Sequence, residues 1–532
     1  MEAAIEPIDI LIKDAVIYDG AGSKPFECDI AVTKDKISHI GKINTVSAKQ
    51  IINAKGKKIA CPGFIDVHGH SEFSLMAYPE AQSKLLQGVT TEIGGNCGFS
   101  CAPILNDAVK RFENEFNTFN IKHRWNDIAG FKTALSERKP AINFATLTGH
   151  GNLRASVIGY ENKKASNNDL DKMAELFRQT IDDGSLGLST GLIYSPGIFS
   201  NNEEIIEIIK RANCRNIIYA SHMRSEGDAL IEAIKDTIEV GRQTGVKINI
   251  SHLKTQGSHN WHKIEKVLEL IRAAEKDGIN ITCDRYPYTA SQTSLDSILP
   301  AWSYEGGNQE ELKKLKNKKT AKQITSYLSQ TADSITTTTG KDYWSAIIVS
   351  RLRSEKNAYM QGMSIRDIAN KNNIAAEKLV IEILIEEELD IDAIFFSMNE
   401  ENLRKILSLD NCMVGSDSSV KLCAPGKPHP RGFSTFARYL STYTLEHRLM
   451  PLETAIFKMT GLAAQTFNLK NRGFLKENHF ADILIINLDE LKDRATFNNP
   501  CDKPEGIEYV IVNGIAAYEN SKINPNRAGF VI

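Results

Sequence analysis

The sequence has no long hydrophobic run, no excess of charge of one sign and no paired spacing of its cysteines. No segment reaches the roughly 18 consecutive apolar residues of a membrane-spanning helix, so no membrane contact is expected. The 64 lysine and arginine residues nearly balance the 66 aspartate and glutamate residues, which gives no electrostatic basis for binding nucleic acid. We therefore expect a small-molecule ligand.

The cysteines and the N-terminal segment both indicate the cellular compartment of the protein. Nine cysteines, an odd number, are scattered along the chain, which is typical of a reducing compartment rather than of a disulfide framework. The first residues, MEAAIEPIDILIKDAVIYDG, lack the basic start and continuous apolar stretch of a secretory signal. These features predict a cytoplasmic protein, and they give no indication of its oligomeric state.

Short apolar alternations separated by turn residues occur at both ends of the chain, as in DILIKDAVIYDG and IEYVIVNGIAAYE. This pattern predicts short β-strands. Because chain ends often lie close together, residues 1–61 and 469–532 are expected to form one small β-sandwich domain.

Strand-like and helical patterns alternate between these ends. The eight strand-like segments are GFIDVHGH, GVTTEIGGNCG, INFATLTGHGN, GSLGLSTGL, NIIYASHMR, KINISHLK, INITCDRYPY and NCMVGSDSS. Such alternation predicts an α/β fold with a parallel sheet, here a (β/α)8 TIM barrel over residues 62–468 with its site at the carboxyl ends of the strands. A helical insertion is expected at about 291–345, either as a lid over the barrel mouth or as an inert addition.

Two histidines close the first of these strands. The period of two places His68 and His70 on one face, where two imidazoles can converge on one cation. This spacing alone is weak evidence, because two histidines in an ordinary loop would show the same pattern.

Other strand ends carry further candidate ligands. Cys97 lies among glycines, His222 and His252 each follow a serine at equivalent places on neighbouring strands, and Asp417 ends the last strand. A buried thiol, hydrogen-bonded imidazoles and a helix-capping carboxylate are the structural alternatives. Together the residue types suit Zn²⁺, one ion or two, with metal-activated water attacking an amide and the carboxylate carrying the proton.

With these residues in view, the chain resembles the amidohydrolase superfamily and, within it, the D-aminoacylases or N-acyl-D-amino-acid deacylases. The motifs that carry the resemblance are PGFIDVHGHSE, GVTTEIGGNCG, GHGNLR, GLSTGLIYSPG, SHMRSEGD, DRYPYTASQTSL, VGSDS and HPRGFSTFARYL. The resemblance implies zinc-dependent hydrolysis of an N-acyl-D-amino acid to a carboxylate and a free D-amino acid.

The resemblance also assigns roles to the candidate ligands. It implies that Cys97, His222 and His252 hold a tightly bound zinc, and that Asp417 is the general base and acid. His68 and His70 would border that ion or hold a weaker second one. When the second position is empty, His68 would instead hydrogen-bond the developing oxyanion.

Substrate-binding residues are expected near the same strand ends. Lys254 lies two residues beyond His252, and its ammonium could bind the substrate carboxylate. The other candidates, each with a structural alternative in loop packing or ion pairing, are Tyr194, Tyr286, Tyr288 and Arg431.

Two other functions are weighed against this one. Hydantoinase-type enzymes, which hydrolyse cyclic amides or imides, bridge two metals with a carboxylated lysine from the fourth strand, but GSLGLSTGL contains no lysine. A barrel that has lost catalysis and only binds is disfavoured because all six candidate metal and acid/base residues are present. Arg285 and Ser418 depart from the family pattern, which bears on the preferred substrate side chain.

Overall fold

The computed structural model describes residues 7–44, 47–55, 58–122, 124–423, 426–519 and 521–532. Residues 1–6, 45–46 and 56–57 of the expected N-terminal β segment, residues 123 and 424–425 of the expected barrel, and residue 520 lie outside this description. The strands are β1 (Ile8–Ile17), β2 (Phe26–Thr33), β3 (Lys36–Gly41), β4 (Ala48–Asn53), β5 (Lys58–Pro62), β6 (Phe64–Asp66), β7 (Val89–Gly94), β8 (Asn143–Thr146), β9 (Thr148–Gly149), β10 (Gly187–Gly191), β11 (Ile218–His222), β12 (Lys247–Ile250), β13 (Ile281–Arg285), β14 (Ser291–Ser294), β15 (Ile347–Leu352), β16 (Ile391–Phe395), β17 (Cys412–Val414), β18 (Ile483–Asn487), β19 (Ile507–Val512), β20 (Ile515–Glu519) and β21 (Lys522–Ile523).

The α-helices are α1 (Ser74–Ala77), α2 (Gln82–Leu85), α3 (Ala108–Thr118), α4 (Ile128–Arg138), α5 (His150–Val157), α6 (Asn167–Asp182), α7 (Asn202–Ala212), α8 (Leu230–Thr244), α9 (Ile264–Lys276), α10 (Asn308–Lys316), α11 (Lys318–Thr339), α12 (Ile365–Asn372), α13 (Ala376–Glu386), α14 (Glu400–Leu407), α15 (Arg431–Arg438), α16 (Leu452–Met459) and α17 (Gly461–Thr466). Among the described residues, no helix combines the length and the apolar character needed to cross a membrane.

Strands from the two ends of the chain form one sheet. Its order is β21-β20-β19-β18-β5-β1-β2-β3, and β4 also pairs with β1. The junction between the two ends is the antiparallel pairing of β5 with β18, in which Pro62 lies opposite Ile483. Alternate apolar residues of β1, β2 and β18 share a buried core, as the period-two side-chain pattern of strands requires.

The middle of the chain contributes two parallel sheets, β6-β7-β8 and β9-β10-β11-β12-β13-β17. Only Leu147 separates β8 from β9, and its amide donates to the carbonyl of Gly94 on β7 over 3.0 Å. At the other edge, the Asp417 amide after β17 donates to the His68 carbonyl after β6 over 2.7 Å. The carboxyl ends of strands from both sheets therefore meet.

Helices cover these parallel strands through apolar faces. Ile205 and Ile209 of α7 and Ile234 of α8 are buried in one core with residues of β10 to β13. This is the arrangement expected where parallel strands are joined by crossover helices.

A third unit, the β14–β16 unit, lies between β13 and β17. Strands β14, β16 and β15 form an antiparallel sheet, and helices α10 to α13 bury Ile324, Leu328 and Val380 in a core of their own. The insertion expected at 291–345 lies within this unit, which continues to Phe395 at the end of β16.

Candidate metal centre

The segment after β6 carries the first two candidate ligands. His68 is fully buried, with its Nδ1 atom 3.1 Å from Oδ1 of Asp284 and its Nε2 atom 3.2 Å from Sγ of Cys97. His70 is partly exposed, and its Nε2 atom lies 3.1 Å from Oδ1 of Asp417. The two imidazoles thus point toward the same group of polar atoms.

Cys97 follows β7 in a turn that depends on close backbone approach. Its φ angle is 53°, and a Cβ atom added at Gly191 would lie 2.0 Å from the Cys97 carbonyl oxygen. Only glycine leaves room for that carbonyl. The turn brings the thiol, which is 6% exposed, to the strand ends.

His222 and His252 complete a group with Cys97. His222 is the last residue of β11, and His252 follows β12 with a φ of 37°. The Nε2 atom of His252 lies 3.4 Å from Sγ of Cys97 and 3.0 Å from Nδ1 of His222. Ligand atoms about 2.0–2.3 Å from a tetrahedral Zn²⁺ would be separated by roughly 3.3–3.6 Å. The sulfur–nitrogen distance of 3.4 Å lies in this range and the nitrogen–nitrogen distance of 3.0 Å is slightly shorter, so small side-chain shifts would let these donors share a zinc ion.

A second group of donors adjoins the first. Within the described residues, His68, His70, Cys97 and Asp417 bring their donor atoms within 4.8 Å of one another, as do Cys97, His222 and His252. Asp417 has a φ of 51°, and its Oδ2 atom pairs with Nη1 of Arg431 over 2.8 Å. Cys97 belongs to both groups, so it occupies the position between the two possible ion sites.

The charges of these side chains stabilise the forms that bind cations. Burial raises the pKa of the Cys97 thiol, but the His68 and His252 charges outweigh it and bring that pKa well below its ordinary value. Burial also raises the pKa of Asp417, whereas Arg431 and the hydrogen bond with His70 hold it well below its usual range. Both shifts favour the thiolate and the carboxylate, which are the ligand forms of these residues.

Sequence analysis missed the carboxylates that orient these ligands. Asp284 on β13 accepts from the His252 amide over 2.9 Å as well as contacting His68. Glu226 lies 2.8 Å from Nδ1 of His252. Such outer carboxylates fix the orientation of a ligating imidazole. The only available signals were Asp284 at a strand end and Glu226 four residues after His222.

A buried ionic cluster lies beneath the segment of His68. Lys84, at 0% exposure, donates to Oδ2 of Asp66 over 2.6 Å and lies 3.1 Å from Glu92. It also donates to Ser416 Oγ and the Ser418 carbonyl, each over 2.9 Å. Lys84 therefore connects the His68 segment to the Asp417 segment, a role that no sequence pattern indicated.

The candidate substrate-binding residues occupy different surroundings. Lys254 is buried, with its Nζ atom 2.5 Å from Oε1 of Glu226 and 2.7 Å from Nδ1 of His252. Tyr194 donates to or accepts from Thr293 over 2.9 Å, and its ring lies against His222. Both residues line the main cavity together with Arg431.

The two tyrosines of the DRYPY motif differ in position. Tyr286 lines the cavity, is fully buried, and its hydroxyl has no hydrogen-bond partner among the described residues. Burial raises its pKa, but the charges of Lys254 and Arg285 contribute to a net lowering. Tyr288 instead contacts the rings of His429 and Phe497 and is not among the described residues that line the cavity.

His150 and Arg285 form contacts with other protein groups. His150 lies 2.9 Å from Glu204, away from the candidate ligands. Arg285 is 1% exposed and donates to the Tyr288 carbonyl over 2.7 Å.

The cavity itself has a volume of about 1420 Å³ and extends from Cys97 and Asp417 to the β14–β16 unit.

Comparison with known proteins identifies the family. The model named "Amidohydrolase family" matches residues 50–212 and 396–518. A D-aminoacylase of Alcaligenes xylosoxydans xylosoxydans is 31% identical over 530 residues, which cover 99% of this chain and 98% of that protein. The chain belongs to the amidohydrolase family. It is therefore a hydrolase that acts on amide bonds, as the sequence predicted.

Solved structures agree over the whole length. An N-acyl-D-glutamate deacylase of Bordetella bronchiseptica, complexed with zinc and a phosphonate inhibitor, is 28% identical, with a TM-score of 0.83 and 99% coverage of both chains. A D-aminoacylase with a binuclear metal centre is 30% identical, with a TM-score of 0.82 and 99% coverage of both. These similarities fit a TIM-barrel-like fold. A D-hydantoinase of Thermus sp. is 14% identical with a TM-score of 0.54, which is a likeness of fold alone.

Proposed function

We propose that this protein hydrolyses the amide bond of N-acyl-D-amino acids, small-molecule substrates, and releases a carboxylate and a free D-amino acid. The observation that carries the proposal is the convergence of Cys97, His222 and His252 on one point beside Asp417. The full-length similarity to D-aminoacylase and to N-acyl-D-glutamate deacylase supports the substrate class.

Zinc is the proposed metal, held tightly by Cys97, His222 and His252. When bound, zinc polarises a carbonyl and makes water acidic enough to attack at neutral pH. The sulfur and nitrogen donors favour zinc over magnesium or calcium, which prefer oxygen. His68 and His70 form the proposed site of a weaker second ion; when that site is empty, His68 donates a hydrogen bond to the developing oxyanion.

Asp417 is the proposed general base and acid. One carboxylate oxygen takes the proton of the attacking water and later delivers it to the leaving amine. Its contact with His70 and its pairing with Arg431 fix the direction of both oxygens. Because Arg431 holds this carboxylate ionised, it is available as a base before the reaction starts.

Cationic and phenolic groups of the cavity are proposed to bind the substrate carboxylate. Lys254 supplies a buried ammonium, and Tyr286 supplies a buried hydroxyl that has no partner among the described residues. A buried hydroxyl without a partner is costly, and a bound carboxylate would satisfy it. Tyr194 and Arg431 lie at the same cavity wall, and Tyr288 supports the wall from behind.

The two parallel sheets are proposed to close into one (β/α)8 barrel. The hydrogen bonds of Leu147 with Gly94 and of Asp417 with His68 link their edges at both sides. In this division, residues 1–61 and 469–532 form a terminal β domain, and 62–468 form the barrel, interrupted by the helical insertion.

A cytoplasmic location fits the free thiols among the described residues.

Product analysis separates the proposed reaction from the alternatives. We expect the zinc-loaded protein to release acetate from N-acetyl-D-methionine and to leave 5-substituted hydantoins intact. Hydantoin opening at a comparable rate would contradict the proposal in favour of a cyclic amide hydrolase. Zinc binding without turnover of either class would contradict it in favour of a binding scaffold.

A further inference from the structure

Two carboxylates line the main cavity away from the candidate metal ligands. Asp296 lies in a short 3-10 turn, Leu295–Ile298, directly after β14, and Glu311 lies in the first turn of α10. Both belong to the β14–β16 unit and both face the same cavity as Cys97 and Asp417. The wall that carries them also carries Tyr304, whose hydroxyl donates to the Asp296 carbonyl over 2.8 Å.

This wall is continuous with the proposed catalytic centre. On β14, the Gln292 carbonyl accepts from Arg431 over 3.1 Å, and Thr293 contacts the Tyr194 hydroxyl. Asp296 follows Thr293 by three residues. A substrate held between Arg431 and Tyr194 would therefore have one of its substituents directed along this wall.

Glu311 is buried, and one of its carboxyl oxygens has no hydrogen-bond partner among the described residues. The residue is 2% exposed, and its Oε1 atom has no hydrogen-bond partner in the part of the chain that the structure describes. Burial, with the Asp296 carboxylate adding to it, raises the pKa of Glu311 to about 9. A buried carboxyl group is normally paired or hydrogen-bonded, and within the described chain Oε1 of Glu311 is not. A cation bound beside it would lower its pKa and favour the carboxylate form.

Neighbouring cations do not supply that compensation. Neither Asp296 nor Glu311 forms an ion pair with another described residue, and the side-chain hydrogen bond that acts on Asp296 comes from the neutral Ser294. Lys314, the cation that acts on Glu311, donates instead to the carbonyls of Trp302, Ser303 and Glu305. Arg111, which acts on Asp296, holds its guanidinium carbon 3.6 Å from the centre of the Phe99 ring.

We propose that Asp296, backed by Glu311, binds a cationic group of the substrate. The ligand is an ammonium or guanidinium group, carried either on the side chain of the D-amino acid or on the acyl group. The proposal rests on the proposed deacylase function and deepens it by naming a substrate class. Acidic side chains would be repelled, so the preferred substrate differs from the N-acyl-D-glutamate of the structurally similar deacylase.

The cavity has room for such a substrate. Its volume of about 1420 Å³ exceeds the roughly 300–1,000 Å³ of typical small-ligand sites. A hydrogen bond to a charged group changes affinity by about tenfold or more. A neutral substrate of the same length lacks this bond, so the site should discriminate against it.

Paired substrates test the proposal in two arms. The side-chain arm compares N-acetyl-D-lysine with N-acetyl-D-2-aminoheptanoate, and the acyl arm compares N-(4-aminobutanoyl)-D-norleucine with N-pentanoyl-D-norleucine. In each pair an ammonium replaces a methyl group. We expect kcat/KM to favour the cationic member at least about tenfold in one arm, which identifies the position of the cation.

Variants locate the effect. Asp296→Asn should bring the cationic-to-neutral ratio close to one, and Glu311→Gln should lower it by a smaller factor. Glu388→Gln removes another cavity-lining carboxylate, one already paired with Arg353, and should leave the ratio as in the wild type. A ratio near one in both arms of the wild type, or a ratio that survives Asp296→Asn, would overturn the subsite.

Binding separates this test from the proposed function. Calorimetry of the same four compounds on the zinc-loaded Asp417→Asn variant measures the ratio without turnover. If the wild type hydrolyses none of them but binds the cationic member at least about tenfold more tightly, the subsite stands and the deacylase function fails. If the neutral members are hydrolysed and the ratio is near one, the function stands and the subsite fails.

Discussion

Replacing Asp417 with asparagine should abolish most activity while leaving the zinc in place. Asparagine keeps the size of the side chain and an oxygen that can face Nε2 of His70, now 3.1 Å from Oδ1. It cannot take a proton from water. General acid–base catalysis contributes about 10²–10⁴-fold, so we expect kcat to fall by that factor, equivalent to about 3–5 kcal/mol in the activation free energy.

The same substitution has a predictable effect on stability. Arg431 is 4% exposed and its Nη1 atom lies 2.8 Å from Oδ2 of Asp417, so the variant leaves a buried guanidinium without its counter-ion. Breaking one side of a buried pair costs about 3–5 kcal/mol. Activity should therefore be measured well below the melting temperature of the variant, with circular dichroism as the control for folding.

The assay measures kcat and KM together with the zinc content of each protein. The expected result is a zinc-to-protein ratio equal to that of the wild type with a kcat lowered at least about 100-fold. A folded, zinc-loaded variant whose kcat stays within about tenfold of the wild type would refute the assignment of Asp417 as base.

Three further substitutions test separate parts of the structure. Cys97→Ala should weaken zinc retention on dialysis because it removes the thiolate shared by both ligand groups; unchanged metal content would return Cys97 to a packing role. Tyr286→Phe should leave the melting temperature unchanged or higher, because the lost hydroxyl has no partner among the described residues, and should raise KM by about tenfold; an unaltered KM would exclude it from substrate binding. Lys84→Met should lower the free energy of unfolding by about 3–5 kcal/mol near neutral pH, as measured by denaturant titration. Burial already raises the pKa of Glu92, and losing the Lys84 ammonium raises it further above the value in the unfolded chain. Protonation of Glu92 then stabilises the folded variant, so the difference in unfolding free energy between the wild type and the variant should shrink as pH falls. A difference that grows in acid would contradict the buried ion cluster.

The family could be predicted from the sequence because its motifs lie at strand ends. The His-x-His that follows β6, and the two Ser-His pairs at the end of β11 and directly after β12, are visible without structure, since their spacing is local. In the structure, His68, Cys97, His222 and His252 lie close together although the first and the last are more than a hundred residues apart in the sequence. Their roles as ligands stay a prediction.

Other features depend on contacts that no local pattern encodes. Lys84 lies in the four-residue helix α2 and looks like a surface lysine, yet it bonds to Asp66 and to Ser416, which is 332 residues away. Asp296 and Glu311 come from separate elements of the β14–β16 unit. Tyr286 and Tyr288 are two residues apart, but only the first lines the cavity among the residues described, because the chain turns between them.

Zinc-dependent turnover of matched enantiomers tests the account most directly. The protein is depleted of metal with a chelator, reconstituted with increasing Zn²⁺, and assayed on N-acetyl-D-methionine and N-acetyl-L-methionine. The account predicts that activity on the D-enantiomer appears in proportion to the first equivalent of zinc, with little on the L-enantiomer. Equal rates on both enantiomers, or full activity in the metal-depleted protein, would contradict it.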